Sequence, residues 1–140
     1  MAYFADLSEY AYGSEEHPNV VHVGWLDGEH SFPTGLIAPR LISKLKLLAK
    51  TPVELYRGQH LCNICSEPEG LVKKDVPDRV VIDPTCSWAI WAEQRSGNGE
   101  IRVNGDRVVF AAPVLIVHYI EDHLYLPPSE FLRAVEQTLR

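Results

Sequence analysis

Ile101-Arg102-Val103-Asn104-Gly105-Asp106-Arg107-Val108-Val109-Phe110 is the stretch whose reading decides the fold. Ile101–Val103 and Arg107–Phe110 are rich in β-branched residues. They flank an Asn-Gly pair suited to positive φ angles, which predicts a hairpin turning at Asn104-Gly105. Downstream the period changes. Pro113 to about Asp122 reads as a helix. Pro128 to Leu139 reads as another, with Phe131, Leu132, Val135 and Leu139 on one face. Pro127 and Pro128 separate the two.

Upstream, Val20-Val21-His22-Val23-Gly24-Trp25 reads as a strand, followed by turns at Leu26-Asp27-Gly28 and Phe32-Pro33-Thr34-Gly35. Before it, residues 1–18 are aromatic and acidic, with Tyr3, Phe4, Tyr10 and Tyr12 available to pack. Ala38 to Lys50 is the first clear helix, with Pro39 tolerated at the first helical position. Leu41, Ile42, Leu45 and Leu48 share a face, while Arg40, Lys44 and Lys50 lie largely outside it. That basic face could dock a partner, although such faces are ordinarily just solvated. Pro52 to Tyr56 suggests a short strand running into His60–Cys65, and the polar stretch Ser66–Asp78 a loop. Arg79–Ile82 and Ser87–Ala92 are further strand candidates, and Gly97-Asn98-Gly99-Glu100 is a turn into the hairpin. Mixed strands, one helix, more strands and two C-terminal helices make an α+β protein. The expectation is one domain over 1–140 with a mixed, mostly antiparallel sheet. Its parts are strand and loop to 35, a helix at about 38–50, a Cys-x-x-Cys knuckle at 60–65, strands at 79–111, and helices at about 113–123 and 128–139.

Composition narrows the class. The 140 residues are 46% hydrophobic and 23% charged, which suits one soluble domain with its own core. A net charge of −6 argues against a nucleic-acid surface, which needs clustered Lys and Arg, and leaves room for a protein partner with a basic surface. No apolar run approaches the ~20 residues of a membrane span. The N-terminus lacks the pattern of a signal peptide. Three cysteines, two of them three positions apart, do not make a disulfide framework, so the chain reads as cytoplasmic.

Cys62 and Cys65 have the spacing of a zinc knuckle, where a tight turn aims two thiolates at one ion. A thioredoxin-type pair opens a helix after a strand, whereas this pair precedes a polar, Pro-containing loop. Partner ligands would come from His118 and His123, across the 52 residues that separate Cys65 from His118. Five residues along an ideal helix place two side chains about 140° apart, so both can reach one ion only if the helix ends near His123. His60 is an alternate ligand, because in an extended segment it points to the same side as Cys62. Cys86 reads as a small buried side chain, His30 as a surface or hydrogen-bonding histidine, and His17 and His22 carry no supporting context.

Two thiolates and two imidazoles would close a structural site for one zinc per chain, contributing on the order of 10 kcal/mol to folding. The leading reading is therefore a non-enzymatic, zinc-stabilised binding module, in the manner of an immunity or accessory protein that engages another protein. The rival is a zinc-dependent hydrolase with Glu121 as general base. His118-x-x-Glu121-Asp122-His123 superficially resembles the His-x-x-Glu-His of inverzincin proteases, but one extra residue breaks the helical register. His118, Glu121 and Asp122 do share a helix face. A third reading is a metal-free globular domain with buried cysteines. Dinucleotide loop, phosphate loop and nucleophile elbow are absent, and a Cys-His nucleophile lacks an oxyanion hole. Trp25, Trp88 and Trp91 read as core or sheet-face residues. Trp88 and Trp91 would face opposite sides of a strand, so one could mark a partner surface.

Gly24-Trp25-Leu26-Asp27, His30, Phe32-Pro33-Thr34-Gly35 and Arg57-Gly58-x-His60-x-Cys62-x-x-Cys65 occur in that order. Gly97-Asn98-Gly99-Glu100-Ile101-Arg102-Val103, Ala112-Pro113 and His118-Tyr119-Ile120-x-x-His123-x-Tyr125-x-Pro127-Pro128-x-x-Phe131 follow. The combination resembles a family of small, largely bacterial proteins of unknown function. The resemblance implies one compact domain in which the Cys pair and the late histidines belong together. It implies no reaction, substrate or partner, and Cys86 falls in none of its blocks.

Overall fold

The 101–110 stretch does fold back on itself, and the other elements are arranged around it. The computed structural model describes residues 3–9, 19–53, 59–65, 75–76, 79–80 and 96–138. Outside them lie His17, Cys86, Trp88, Trp91 and Leu139, the expected strands at 81–82 and 87–92, and the side chain of His60. In chain order the elements are β1 (Val20–His22), α1 (Pro39–Ala49), β2 (Gln59–Leu61), β3 (Asp75–Val76) and β4 (Arg79–Val80). Then come β5 (Ser96–Asn98), β6 (Glu100–Asn104), β7 (Val109–Pro113), α2 (Ile116–His123) and α3 (Ser129–Gln137).

The main sheet has the order β1-β7-β6 and is mixed. β6 and β7 pair antiparallel from Glu100–Pro113 to Asn104–Val109, and β1 joins β7 in parallel, with His22 opposite Ala111. Together with the three helices this is the expected α+β domain. Two small antiparallel ribbons, β2–β5 and β3–β4, complete the described strands. β3 lies inside the stretch expected to be a loop. β5 uses Ser96–Asn98 as strand, so the expected turn narrows to Gly99, at φ +93°.

The hairpin differs from expectation at its tip. Asn104 ends β6, and residues 105–108 form a four-residue loop closed by the Gly105 N–H donating to the Val108 carbonyl at 2.8 Å. The positive φ falls on Arg107, at +63°. Gly105 is needed for space instead, since a Cβ there would sit 2.6 Å from Cε2 of Phe110.

The period of two divides the sheet. Ile101, Val103, Phe110 and Ala112 point into the main core under the helices. Val20, Ala111 and Val109 cluster on the opposite face, which also carries His22, Arg102 and Glu100. α1 contributes Leu41 and Leu45 fully, with Ile42 and Leu48 half-buried, as its spacing predicts. Pro113, expected to open a helix, instead ends β7, where a missing N–H costs few ladder bonds. α2 starts three residues later. In α3, Phe131 and Val135 are buried as expected and Ala134 joins them. Phe131 meets Phe110 edge-on at 5.6 Å.

Of the N-terminal aromatics, Tyr3 and Phe4 pack, while Tyr10 and Tyr12 lie outside the described residues. Phe4 stacks on His22 at 3.8 Å, and the Leu7 N–H and Ser8 carbonyl bond the backbone of His22, covering the edge of β1. Asp6 accepts from the Gly24 N–H at 3.0 Å and from the Tyr125 hydroxyl at 2.8 Å, tying the N-terminus to the chain beyond α2. Two cations of the basic face on α1 are engaged internally. Arg40 grips the Glu136 carboxylate at 2.9 and 3.1 Å, and Lys44 donates to the Glu136 and Thr138 carbonyls. They hold the C-terminal end of α3, where helix carbonyls lack partners. Among the described residues, no helix is long and apolar enough to cross a membrane.

Candidate metal centre

The ribbon β2–β5 delivers the knuckle. His60 pairs through its backbone with Gly97, and the chain leaves β2 at Leu61 to bend through Asn63–Cys65. Cys62 is buried at 2% exposure and belongs to the core, while Cys65 is half-buried against it. Asn63 fixes the bend, its Oδ1 accepting the Gly28 N–H at 3.0 Å. α2 is seated from the other side. Gly24, at φ +78°, lies so close to Ile116 that a Cβ would be 2.9 Å from Cδ1.

Cys62, Cys65, His118 and His123 converge, with one donor atom from each all within 4.8 Å of one another. Cys62 Sγ lies 3.5 Å from His123 Nε2, and Cys65 Sγ lies 3.2 Å from Nε2 of both His118 and His123. These lengths have a simple reference. A tetrahedral ion with bonds of about 2.3 Å to sulfur and about 2.0–2.1 Å to nitrogen has edges of about 3.3–3.8 Å. The S···N contact of 3.5 Å lies in that range and the two of 3.2 Å fall just short of it, so these donors are gathered on the scale of one coordination sphere.

The angular difficulty posed by five helical residues is met at the helix end. His123 is the last residue of α2, and Leu124 turns into the left-handed region at φ +56°. The Tyr119 carbonyl accepts from the N–H groups of both Leu124 and Tyr125, a C-terminal closure that frees the His123 side chain from a following turn. The two rings then approach to 5.0 Å between centroids, nearly perpendicular at 84°.

The partner of His118 matters as much as its position. Its Nδ1 lies 3.0 Å from Asp122 Oδ2, one helical turn on. A proton held there leaves Nε2 with its lone pair aimed at the thiolate cluster, the tautomer a metal requires. Glu121, the other acid on that face, instead meets Lys46 of α1 at 3.1 Å. Tyr119 is fully buried beside the cluster. Burial first, and then the negative charges of Cys62 and Cys65, push its hydroxyl pKa far up, so it stays neutral.

The other sequence candidates are elsewhere. His30 is exposed, bonds Asp27 at 2.6 Å and stacks on Tyr3, as a hydrogen-bonding surface histidine should. That bond lowers the pKa of Asp27. Trp25 is core, its indole N–H donating to the Ala111 carbonyl at 2.9 Å. His22, for which the sequence offered no context, is wholly buried between Phe4 and Trp25, and its pKa falls to about 4 through burial and then the nearby charge of Arg102. Glu100, also buried, pairs with Arg102 at 3.0 Å. Their spacing of two on one strand was the available signal for this polar group, as was a histidine within a β-branched run.

A family model described as a domain of unknown function (DUF7919) matches residues 2–136. No curated protein and no solved structure matches the chain.

Proposed function

We propose a role for the chain from its site, because the family it belongs to, DUF7919, is a domain of unknown function and supplies none. The chain is a small cytoplasmic binding module whose fold is locked by one zinc ion on Cys62, Cys65, His118 and His123. The observation that carries this reading is the convergence of those four donor atoms within 4.8 Å. Two soft thiolates and two imidazoles in a tetrahedral set suit zinc. Because all four positions come from the protein, the site is closed and structural, with no place left for a reactive water. A hydrolase would need an open position and a base, and the ion pair of Glu121 with Lys46 gives that reading no support. The partner is a protein with a basic surface, a choice that rests on the chain's net charge of −6. Association with such a partner should weaken as salt rises, and salt-independent binding would count against it.

The direct test is metal content by mass spectrometry on untagged protein purified without chelator. About one zinc per chain is expected, lost in Cys62→Ser and His118→Ala but kept in His60→Ala. No metal in the unaltered chain would leave the cysteines as core residues.

A further inference from the structure

We propose that a peroxide oxidises Cys62 and Cys65 to a disulfide, which releases the metal and unlinks the knuckle from α2. The proposal rests on the zinc reading and concerns how that site is regulated. Its basis is the difference between the two links the same sulfurs can make. Bound to a metal with His118 and His123, they connect residues separated by 53 to 61 positions along the chain. Bound to each other, they close only the short bend through Asn63 and Ile64. Loop-closure restraint grows with the length of the loop, so the local bridge holds nothing together that the bend did not hold already. Oxidation therefore exchanges a cross-link that spans the domain for one that does not.

The geometry allows the exchange. Both sulfurs lie within the same 4.8 Å cluster, and Cys65 is only half-buried. A shallow cavity of about 300 Å³, lined by Lys46, Val117, His118, Glu121 and Asp122, opens against the cluster's His118. The thiolate of Cys65, the more accessible of the two, attacks one peroxide oxygen. The O–O bond breaks, leaving a sulfenic acid and one hydroxide. The Cys62 thiolate then attacks that sulfur, the S–S bond forms and a second hydroxide leaves. Two thiolates and one hydrogen peroxide thus give one disulfide and two hydroxides. The sulfurs lose two electrons and the peroxide gains them. Two neutral imidazoles remain, too few to retain a divalent ion against water.

The test uses the full, zinc-loaded chain carrying Cys86→Ser, titrated with hydrogen peroxide while a chromogenic chelator reads released zinc and alkylation counts thiols. One zinc should leave for each pair of thiols lost, and a thiol reductant should restore both. The oxidised chain should unfold at the same midpoint as reduced chain stripped by chelator. In the unsubstituted chain, peptide mapping should show the Cys62–Cys65 bridge with Cys86 still alkylatable. Zinc retained after the thiols are consumed would overturn the proposal, as would thiols inert to peroxide that oxidises a cysteine control. A chain that takes up no zinc before peroxide is added would overturn the zinc reading and this proposal with it.

Discussion

Around Phe110 and Phe131 the molecule is held by buried apolar surface, whereas around Cys62 four polar donors gather at one point. The first region needs no ligand. Side chains from the hairpin and the three described helices close on one another, and each large residue contributes roughly 1.5–3 kcal/mol by leaving water. The second region joins a short ribbon to the end of a two-turn helix. Its four donors face one another at 3.2–3.5 Å, and a bound metal would replace those mutual contacts with bonds to one ion. The comparison teaches where a metal would matter most, at the joint between β2 and α2.

The widest separation of the two regions should come from chelation. Stripping the metal should remove on the order of 10 kcal/mol of coupled binding energy, comparable to a small domain's whole stability, and denaturant titration of loaded and stripped chain measures it. Equal midpoints would erase the distinction. Phe131→Ala should cost about 3–5 kcal/mol in both forms, since the ring is fully buried and packs on Phe110 rather than on the cluster. A cost that appears only in the loaded form would mean the regions are one.

The buried side of the sheet supplies a third, pH-dependent probe. The His22 pKa, lowered to about 4, lies below its ordinary value, so folding favours the neutral ring. Its stability contribution is present in full above about pH 6.5 and is lost as pH falls toward 4, about 3 kcal/mol in all. NMR titration of the folded chain should find the His22 ring neutral to about pH 4. Titration near 6.5 would contradict its burial. The smallest effect belongs to Asp122→Asn, which should weaken metal binding about 10–100-fold while leaving the metal-free fold unchanged.

What the sequence revealed follows the same division. Periodicity exposed the apolar region directly, because Leu41, Leu45, Phe131 and Val135 repeat at helical spacing and Ile101 and Val103 at strand spacing. The hairpin tip misled, since Asn104-Gly105 matches a tight turn while the glycine is required by the ring of Phe110. The candidate ligands were legible as residue types and spacings. Their convergence was expected on the condition that the helix ends near His123, and what the sequence hid is how it ends, with Leu124 in a left-handed conformation for which it has no propensity. Asp122 was visible on the face of His118 without its role, which only the 3.0 Å contact to Nδ1 reveals. The polar group of His22, Glu100 and Arg102 joins distant strands, and a pairing register across three strands cannot be read from any one of them.

The central claim is that two sulfurs and two nitrogens of this chain form a closed sphere around one zinc. X-ray absorption at the zinc edge of the loaded protein tests it most directly. The account predicts two sulfur scatterers at about 2.3 Å and two imidazole nitrogens at about 2.0–2.1 Å, with no oxygen shell. A coordinated water, or a single sulfur, would contradict it.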